Sequence, residues 1–508
     1  VSREALLANI HGDTTYLDHA GTTLASKSLI DAFSQQMQAH LLANPHSASM
    51  SAPNTSHQIV ESTRSKVLSF LGASPEHFDV VFVANATAGI KLVLEAFLGH
   101  EKGFDYIYHR DSHTSLVGIR ELANQSRCIC SDEEVEGWLR NGNVSNKRSG
   151  RPTLFAYPGQ SNMNGRRLPL RWAGAVRSSS RHVNTYTLLD IAALATTTPV
   201  QLNDPAVAPD FVVMSFYKIF GFPDLGALII RKDAAHIFDK RKYFGGGTTE
   251  MITCAQKPWV ARKESGVVAR LEDGTGPTHS ILALRCAIDA HKKLFGGMKD
   301  VSTHTGWLAK RAHDQLRELK HANGLEICRI YKDPSSTYGD AQTQGATISF
   351  NVCRSDGTWI GSSRVGRMAA ERDIHIRTGS LCNPAGMAHA LGLSDDDVQQ
   401  AFYSGFRCGQ ENDVRNDLPF GMVRISFGAV STMGDVDVFL RFMEECFVED
   451  SATSVVAEEE DIVKKVESDA LRCSEQSSIG LDEKSALHGG KKRWRLRLSK
   501  LCLPSRDK

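Results

Sequence analysis

From about residue 79 to residue 231, short apolar runs alternate with segments of helical length, and this alternation constrains the fold more than any other feature. The runs are Phe78–Ala84, Asp105–His109, Thr153–Tyr157, Tyr186–Asp190, Asp210–Ser215 and Leu225–Arg231. Runs that are apolar on both faces predict a mostly parallel sheet covered by helices on both sides. Only a short turn separates the last two, so they are expected to pair antiparallel. In such a sheet a ligand sits beyond the carboxyl ends of the strands, where loops and helix N-termini converge. The stretch Ser280–Phe295, with Ile281, Leu284, Ile288 and Leu294, reads as a helix leading to a smaller α/β unit with strands Ala346–Val352 and Met422–Phe427. The expected organisation is an N-terminal segment and large domain over 1–280, a small α/β domain over 281–450 and a tail over 451–508.

The tail changes character: Glu458-Glu-Glu-Asp461 is charged, Ser474–Gly490 polar and Lys491–Lys500 basic. Such a segment buries too little apolar surface to offset its ordering entropy, so it is expected to be disordered with at most a short helix, and its basic end is read as a solvated linker in preference to a binding element. In the 508 residues, 41% apolar and 23% charged with a net charge of +1, nothing steers the chain onto nucleic acid or an anionic membrane. A small substrate fits better. No run reaches 18 uninterrupted apolar residues and the N-terminus lacks a secretory signal, so the chain is read as cytoplasmic; the absent initiator Met marks it as a fragment or a processed form. The eleven cysteines show no C-x-x-C spacing and imply neither a disulfide framework nor a structural metal. Cys128, Cys286, Cys328, Cys353 and Cys446 are expected to be small core residues.

The chemistry-bearing residues fall at strand ends. Lys218 follows Asp210-Phe-Val-Val-Met-Ser-Phe-Tyr and precedes a Gly/Pro turn. An amine there is desolvated, which lowers its pKa and suits it to Schiff-base formation with an aldehyde; the bland alternative is a strand-end lysine reaching water. Asn85-Ala-Thr87-Ala-Gly89 opens a helix whose N-terminus can hold a phosphate, with Thr87 adding a hydroxyl, or is simply an N-cap. Ser215 is a second phosphate donor candidate. Asp190 ends an apolar strand and needs a cationic partner, which a protonated pyridine nitrogen would supply, unless it only caps a helix. His113 either stacks on such a ring or is a surface-loop histidine. Cys382, among Gly and Pro residues, reads as a nucleophile on a mobile loop, with Arg377, Arg424 and His375 favouring its thiolate. Arg424 is the candidate for a bidentate clamp on a substrate carboxylate.

Together these motifs resemble the class V, NifS-like pyridoxal-phosphate enzymes, and among them the aminotransferase-like domain of the molybdenum cofactor sulfurases. The resemblance rests on Tyr16-Leu-Asp-His-Ala-Gly-Thr-Thr, Asn44-Pro-His-Ser, His113-Thr-Ser-Leu-Val-Gly-Ile-Arg-Glu, Gln160-Ser-Asn, Ser215-Phe-Tyr-Lys-Ile-Phe-Gly, Phe244-Gly-Gly-Gly-Thr, Glu272-Asp-Gly-Thr and Arg377-Thr-Gly-Ser-Leu-Cys-Asn-Pro. It implies an α/β, aspartate aminotransferase-like (fold type I) architecture that binds pyridoxal 5'-phosphate. Lys218 would be the Schiff-base lysine, Asp190 the pyridine-nitrogen partner, His113 the stacking residue and Asn162 the contact to the ring hydroxyl. Thr87 and Ser215 would hold the phosphate, and Thr248 would reach it from a second subunit, implying a homodimer. Asn44 and Arg424 would bind the substrate, L-cysteine. Cys382 would take its sulfur as a persulfide, release alanine and pass the sulfur to the molybdenum cofactor or a molybdenum hydroxylase. The alternatives are a general cysteine desulfurase, another class V lyase or transaminase, or a non-enzymatic partner. Two departures stand out. The family usually continues into a MOSC domain where this chain has its charged tail, implying truncation or an acceptor supplied otherwise. Pro384-Ala-Gly386 also replaces the more usual Pro-Gly followed by a small residue.

Overall fold

The computed structural model describes residues 14–44, 55–142 and 150–449. The expected tail over 451–508 and the remainder of the Asn44-Pro-His-Ser motif lie outside them.

Seven strands build the main sheet: β1 (Phe78–Val83), β2 (Asp105–His109), β3 (Gln125–Ile129), β4 (Thr153–Pro158), β5 (Thr185–Asp190), β6 (Phe211–Ser215) and β7 (Gly226–Arg231). Their order is β1-β7-β6-β5-β4-β2-β3. Every pairing is parallel except those of β7, which runs antiparallel to both β6 and β1. The expected antiparallel pair is therefore present, and β7 lies inside the sheet. Strand β3 has no counterpart among the apolar runs, because Gln-Ser-Arg-Cys-Ile is mostly exposed at an edge.

Two cores flank the sheet. One contains Val80, Phe155, Leu189, Val212 and Ile229 together with Ile281, Leu284 and Ala287 of α1 (Thr278–Phe295). The other contains Val81, Leu154, Leu188, Phe211 and Leu228 with Ile90, Val93 and Phe97 of the helix Ala86–Leu98. Alternate residues of each strand thus feed opposite cores, as both-face burial requires. Because α1 buries its apolar stripe against the first core, residues 281–288 pack with the large sheet.

A separate core collects Ile348, Phe350, Val423, Ile425, Phe439 and Leu308. Here β8 (Cys328–Ile330), β9 (Thr347–Cys353), β11 (Arg377–Gly379) and β12 (Met422–Ser426) form an antiparallel sheet in the order β8-β9-β12-β11, with β10 (Trp359–Ile360) added to β9. Leu17 belongs to this core too: Thr15 and Tyr16 pair with Ile374 and His375, and Asp18 bridges to Ser426. The N-terminal segment is thus stitched to β12, some 400 residues away in sequence. Cys286 and Cys328 are buried as expected, whereas Cys128, Cys353 and Cys446 are only partly so.

Candidate active site

Strand register puts the carboxyl ends of β4, β5 and β6 side by side, with Pro158 opposite Asp190 and Asp190 opposite Val213. Ser215 pairs with Gly226, which also pairs with Val83. The helix Ala86–Leu98 begins at this edge. Asn85 caps it through Oδ1, which accepts from Ala88 N at 3.0 Å, while Ala86 N donates to Ser215 Oγ at 3.0 Å. A Cβ on Gly226 would lie 2.6 Å from both Asn85 Cα and Met214 O, so glycine lets the helix start against the sheet. Thr87 Oγ1 and Ser115 Oγ lie 2.8 Å apart across the helix mouth. Hydroxyls gathered at a helix N-terminus, where the backbone dipole is positive, suit a phosphate. Ser115 had no assigned role in the sequence; only its juxtaposition to Thr87 reveals one.

Lys218 sits on the single turn Tyr217–Phe220 that follows β6. Gly221 ends that turn at φ +77, where a Cβ would strike the backbone of Leu24 and Ala25. Burial pushes the Lys218 ammonium below the usual lysine range; Arg424 acts the same way, while Asp190, Asp18 and Cys382 oppose the shift. The desolvated amine foreseen from the sequence is thus present, and its charge responds to Asp190, Arg424 and Cys382. These groups share one site.

Asp190 is buried, and its Oδ1 accepts from Ala192 N at 2.8 Å. His113 caps the turn Thr114–Val117: its Nδ1 accepts from Ser115 N at 3.1 Å, which leaves the proton on Nε2. Burial lowers the His113 pKa, Asp190 counteracts this, and Lys218 and Arg424 reinforce it. The imidazole is held neutral, the form suited to stacking on a ring next to a cation.

Arg424 projects from β12 and is 4% exposed. Its NH1 donates to Asn162 O at 2.8 Å and its NH2 meets Asp18 Oδ1 at 2.6 Å. The expected clamp therefore already has two protein partners on its outer nitrogens, and Asp18 was not foreseen as one of them. Burial raises the neighbouring Tyr16 hydroxyl to about 12, aided by Asp18 and opposed by Arg424.

Cys382 is half-buried, next to Leu381, and both residues lie at φ +54. The loop is irregular, as expected, but it is tied down. Cys382 O accepts from Thr114 N at 3.0 Å, Leu381 O accepts from Asn162 Nδ2 at 2.6 Å, and Asn383 is fully buried. Pro384 and Gly386, read as loop residues, instead form the first turn of the helix Pro384–Leu391. His375 is exposed, with Nε2 3.1 Å from Asp373 Oδ1, and Arg377 is exposed on β11. Ser380 Oγ lies 3.1 Å from Sγ of the exposed Cys408.

Two assigned residues stand apart. Thr248 is buried in its own turn, its hydroxyl donating to Gly245 O at 2.7 Å. Asn44 is exposed at the end of a described segment. Among the described residues no group of three or more His, Cys, Asp and Glu side chains is arranged to hold a metal ion.

The donor set fits pyridoxal 5'-phosphate: hydroxyls at a helix N-terminus for the phosphate, a low-pKa amine for the aldehyde and a buried carboxylate for the pyridine nitrogen. The solved structures similar to this chain have the same architecture. A cysteine desulfurase from Thermococcus onnurineus NA1 in its apo form superimposes with a TM-score of 0.63 at 20% identity, covering 85% of this chain and 94% of that one. The Escherichia coli cysteine desulfurase CsdA gives 0.63 at 17% identity, covering 87% and 96%. The fold is thus that of the fold type I pyridoxal-phosphate enzymes. In sequence, a molybdenum cofactor sulfurase of Aspergillus niger is 53% identical over 86% of this chain and 53% of its own length, and one of Botryotinia fuckeliana is 51% identical over 87% and 54%. The chain spans about half the length of the curated relatives it matches. With the class V aminotransferase profile matching residues 15–439, a span that holds every group assembled around Lys218, the chain belongs to the aminotransferase class-V family.

Proposed function

We propose that this chain carries out the sulfur-mobilising chemistry of a molybdenum cofactor sulfurase: L-cysteine is desulfurated to alanine through a persulfide on Cys382, and the sulfur is delivered to the molybdenum cofactor. The observation that carries this reading is that Asn162 joins the Cys382 loop, through Leu381 O, to Arg424, beside the sheet edge where β5 ends in Asp190 and β6 leads into Lys218. Bound pyridoxal phosphate would supply the electron sink that weakens bonds around the substrate α-carbon. The protein's own groups divide the remaining work. Lys218, whose charged form burial disfavours, serves as nucleophile and proton carrier. Asp190 holds a positive charge at the carboxyl edge of the sheet, and neutral His113 offers a flat face. Arg424 binds the substrate carboxylate with Asp18 and Asn162 steadying its fork. The Cys382 thiolate attacks the substrate sulfur, forming an S–S bond as the C–S bond breaks.

The same reading places a second copy of the chain against the hairpin Thr249–Thr253 and Trp259–Arg262, whose Met251 and Trp259 are exposed, with Thr248 at its base contributing to the other copy's phosphate site. A reducing, cytoplasmic setting suits a reaction that requires Cys382 as a free thiol. No helix among the described residues is long and apolar enough to cross a membrane.

The test is a visible spectrum of the purified protein before and after L-cysteine, followed by mass analysis of the Cys382 peptide and reconstitution of a molybdenum hydroxylase. Wild type is expected to be coloured, to gain one sulfur on that peptide and to activate the hydroxylase. Lys218→Ala should lose the covalent-cofactor absorbance, whereas Cys382→Ala should keep it and lose the added sulfur. Alanine and sulfide without hydroxylase activation would reassign the chain to general cysteine desulfuration, and colourless wild-type protein would end the enzymatic reading.

A further inference from the structure

Two consecutive non-glycine residues in the left-handed region, Leu381 and Cys382, are unfavourable and persist only where their surroundings enforce them. Asn383 directly follows this pair. It is 0% exposed and uses both ends of its carboxamide. Oδ1 accepts from Gly386 N at 3.1 Å and caps the helix Pro384–Leu391. Nδ2 donates to Asp111 O at 3.0 Å and to Asn162 Oδ1 at 3.1 Å. Both acceptors belong to the large sheet's loops and are themselves held. Arg166, which engages Asp132 and Asp333, meets Asp111 at 3.1 Å, and Asn162 returns a hydrogen bond to Leu381 O. The Leu381–Cys382 turn is therefore bracketed, with Asn162 and Thr114 bonded to its carbonyls and the buried Asn383 next in sequence.

Resting on the function proposed above, we infer that Asn383 is a positioning residue that pins the Cys382 thiol in place, so that sulfur is received and handed on at the mouth of the site without the loop swinging out. Cys382 is half-buried there, so the acceptor must approach it.

Asn383→Asp separates this role from helix capping. The carboxylate keeps an oxygen for Gly386 N–H but loses the donor to Asp111 O and Asn162 Oδ1. Asn383→Ala loses both. In Asn383→Asp holoenzyme the cofactor absorbance is expected to be unchanged, and single-turnover persulfide formation on Cys382 should slow about tenfold, as the loss of a pair of buried hydrogen bonds implies. Alkylation of Cys382, followed on its peptide, should speed up, and more for a bulky maleimide than for iodoacetamide, because the released loop exposes the thiol. Alkylation and persulfide rates within twofold of wild type would overturn the inference, as would an effect confined to Asn383→Ala, which would reduce Asn383 to a helix cap. If wild type forms no persulfide, the desulfuration reading fails instead, while the alkylation contrast still decides whether Asn383 pins the thiol.

Discussion

The ion pair between Arg424 and Asp18 offers the sharpest energetic test of how the site is held. The Arg424 side chain is 5% exposed and that of Asp18 18%, so solvent screens the 2.6 Å contact only weakly. Arg424→Met leaves a half-buried carboxylate without its cation, which costs about 1–3 kcal/mol, and strips the donor from Asn162 O, which adds about 1 kcal/mol. Asp18→Asn keeps an acceptor oxygen but leaves the more deeply buried guanidinium without its counter-charge, so it should cost about 3–5 kcal/mol. The double variant has no buried charge left unpaired, so its loss should fall short of the sum of the singles by about 2–3 kcal/mol. Urea unfolding of all four proteins measures this coupling. Additivity within about 0.5 kcal/mol would refute the claim that the pair sutures the N-terminal segment to β12. The same variants should move Lys218 in opposite directions. Asp18 raises and Arg424 lowers its pKa, so reductive trapping of pyridoxal phosphate on Lys218 should shift to lower pH in Asp18→Asn and to higher pH in Arg424→Met. Shifts of the same sign would sink that electrostatic argument.

Two further tests read other parts of the structure. His291 is buried between Phe220 and Phe295, and burial lowers its pKa from 6.5 to about 4. As pH falls through that window the unfolded chain gains a proton that the folded chain refuses, so native stability should drop by roughly 3 kcal/mol between pH 6.5 and pH 4. His291→Leu should remove that part of the acid sensitivity, and an unchanged stability–pH slope would contradict it. Gly226→Ala forces a Cβ within 2.6 Å of the Asn85 and Met214 backbones at the start of the phosphate-side helix. Overpacking of about 1–3 kcal/mol should weaken pyridoxal phosphate affinity by roughly 5- to 150-fold in a fluorescence titration; wild-type affinity would show that the helix mouth does not hold the phosphate.

The main sheet was legible wherever burial on both faces leaves an unbroken apolar run, as in β4 or β6. It was illegible in β3, whose edge position tolerates polar residues and so erases the signal. Lys218, Asp190, His113 and Cys382 were visible because each follows a strand or sits among turn-forming residues. Asp18 and Asn383 were not, although both stand inside quoted motifs. Their partners, Arg424 and Asp111, lie 406 and 272 residues away, and no local pattern encodes such pairings. The mobility assigned to the Cys382 loop rested on flanking Gly and Pro. Yet proline at the first position of a helix starts order, and the asparagine before it was the buried cap.

Asn162 shows why contributions to this site cannot be separated residue by residue. Its carbonyl accepts from Arg424, its Oδ1 accepts from Asn383 and its Nδ2 donates to Leu381 O. A carboxamide nitrogen carries two N–H groups, so a contact to the ring hydroxyl, the role the family resemblance implies, falls to the one not pointed at Leu381. Arg424 and the thiol loop thus rest on a single side chain and its own backbone, and under the proposed function the ring edge rests there too. Replacing Asn162 would then disturb both the thiol loop and the ring edge. A loss of activity there says little about the ring contact alone, whereas Asp18→Asn perturbs the Arg424 arm without touching the Asn162 side chain, and Asn383→Asp removes only the donor to its Oδ1.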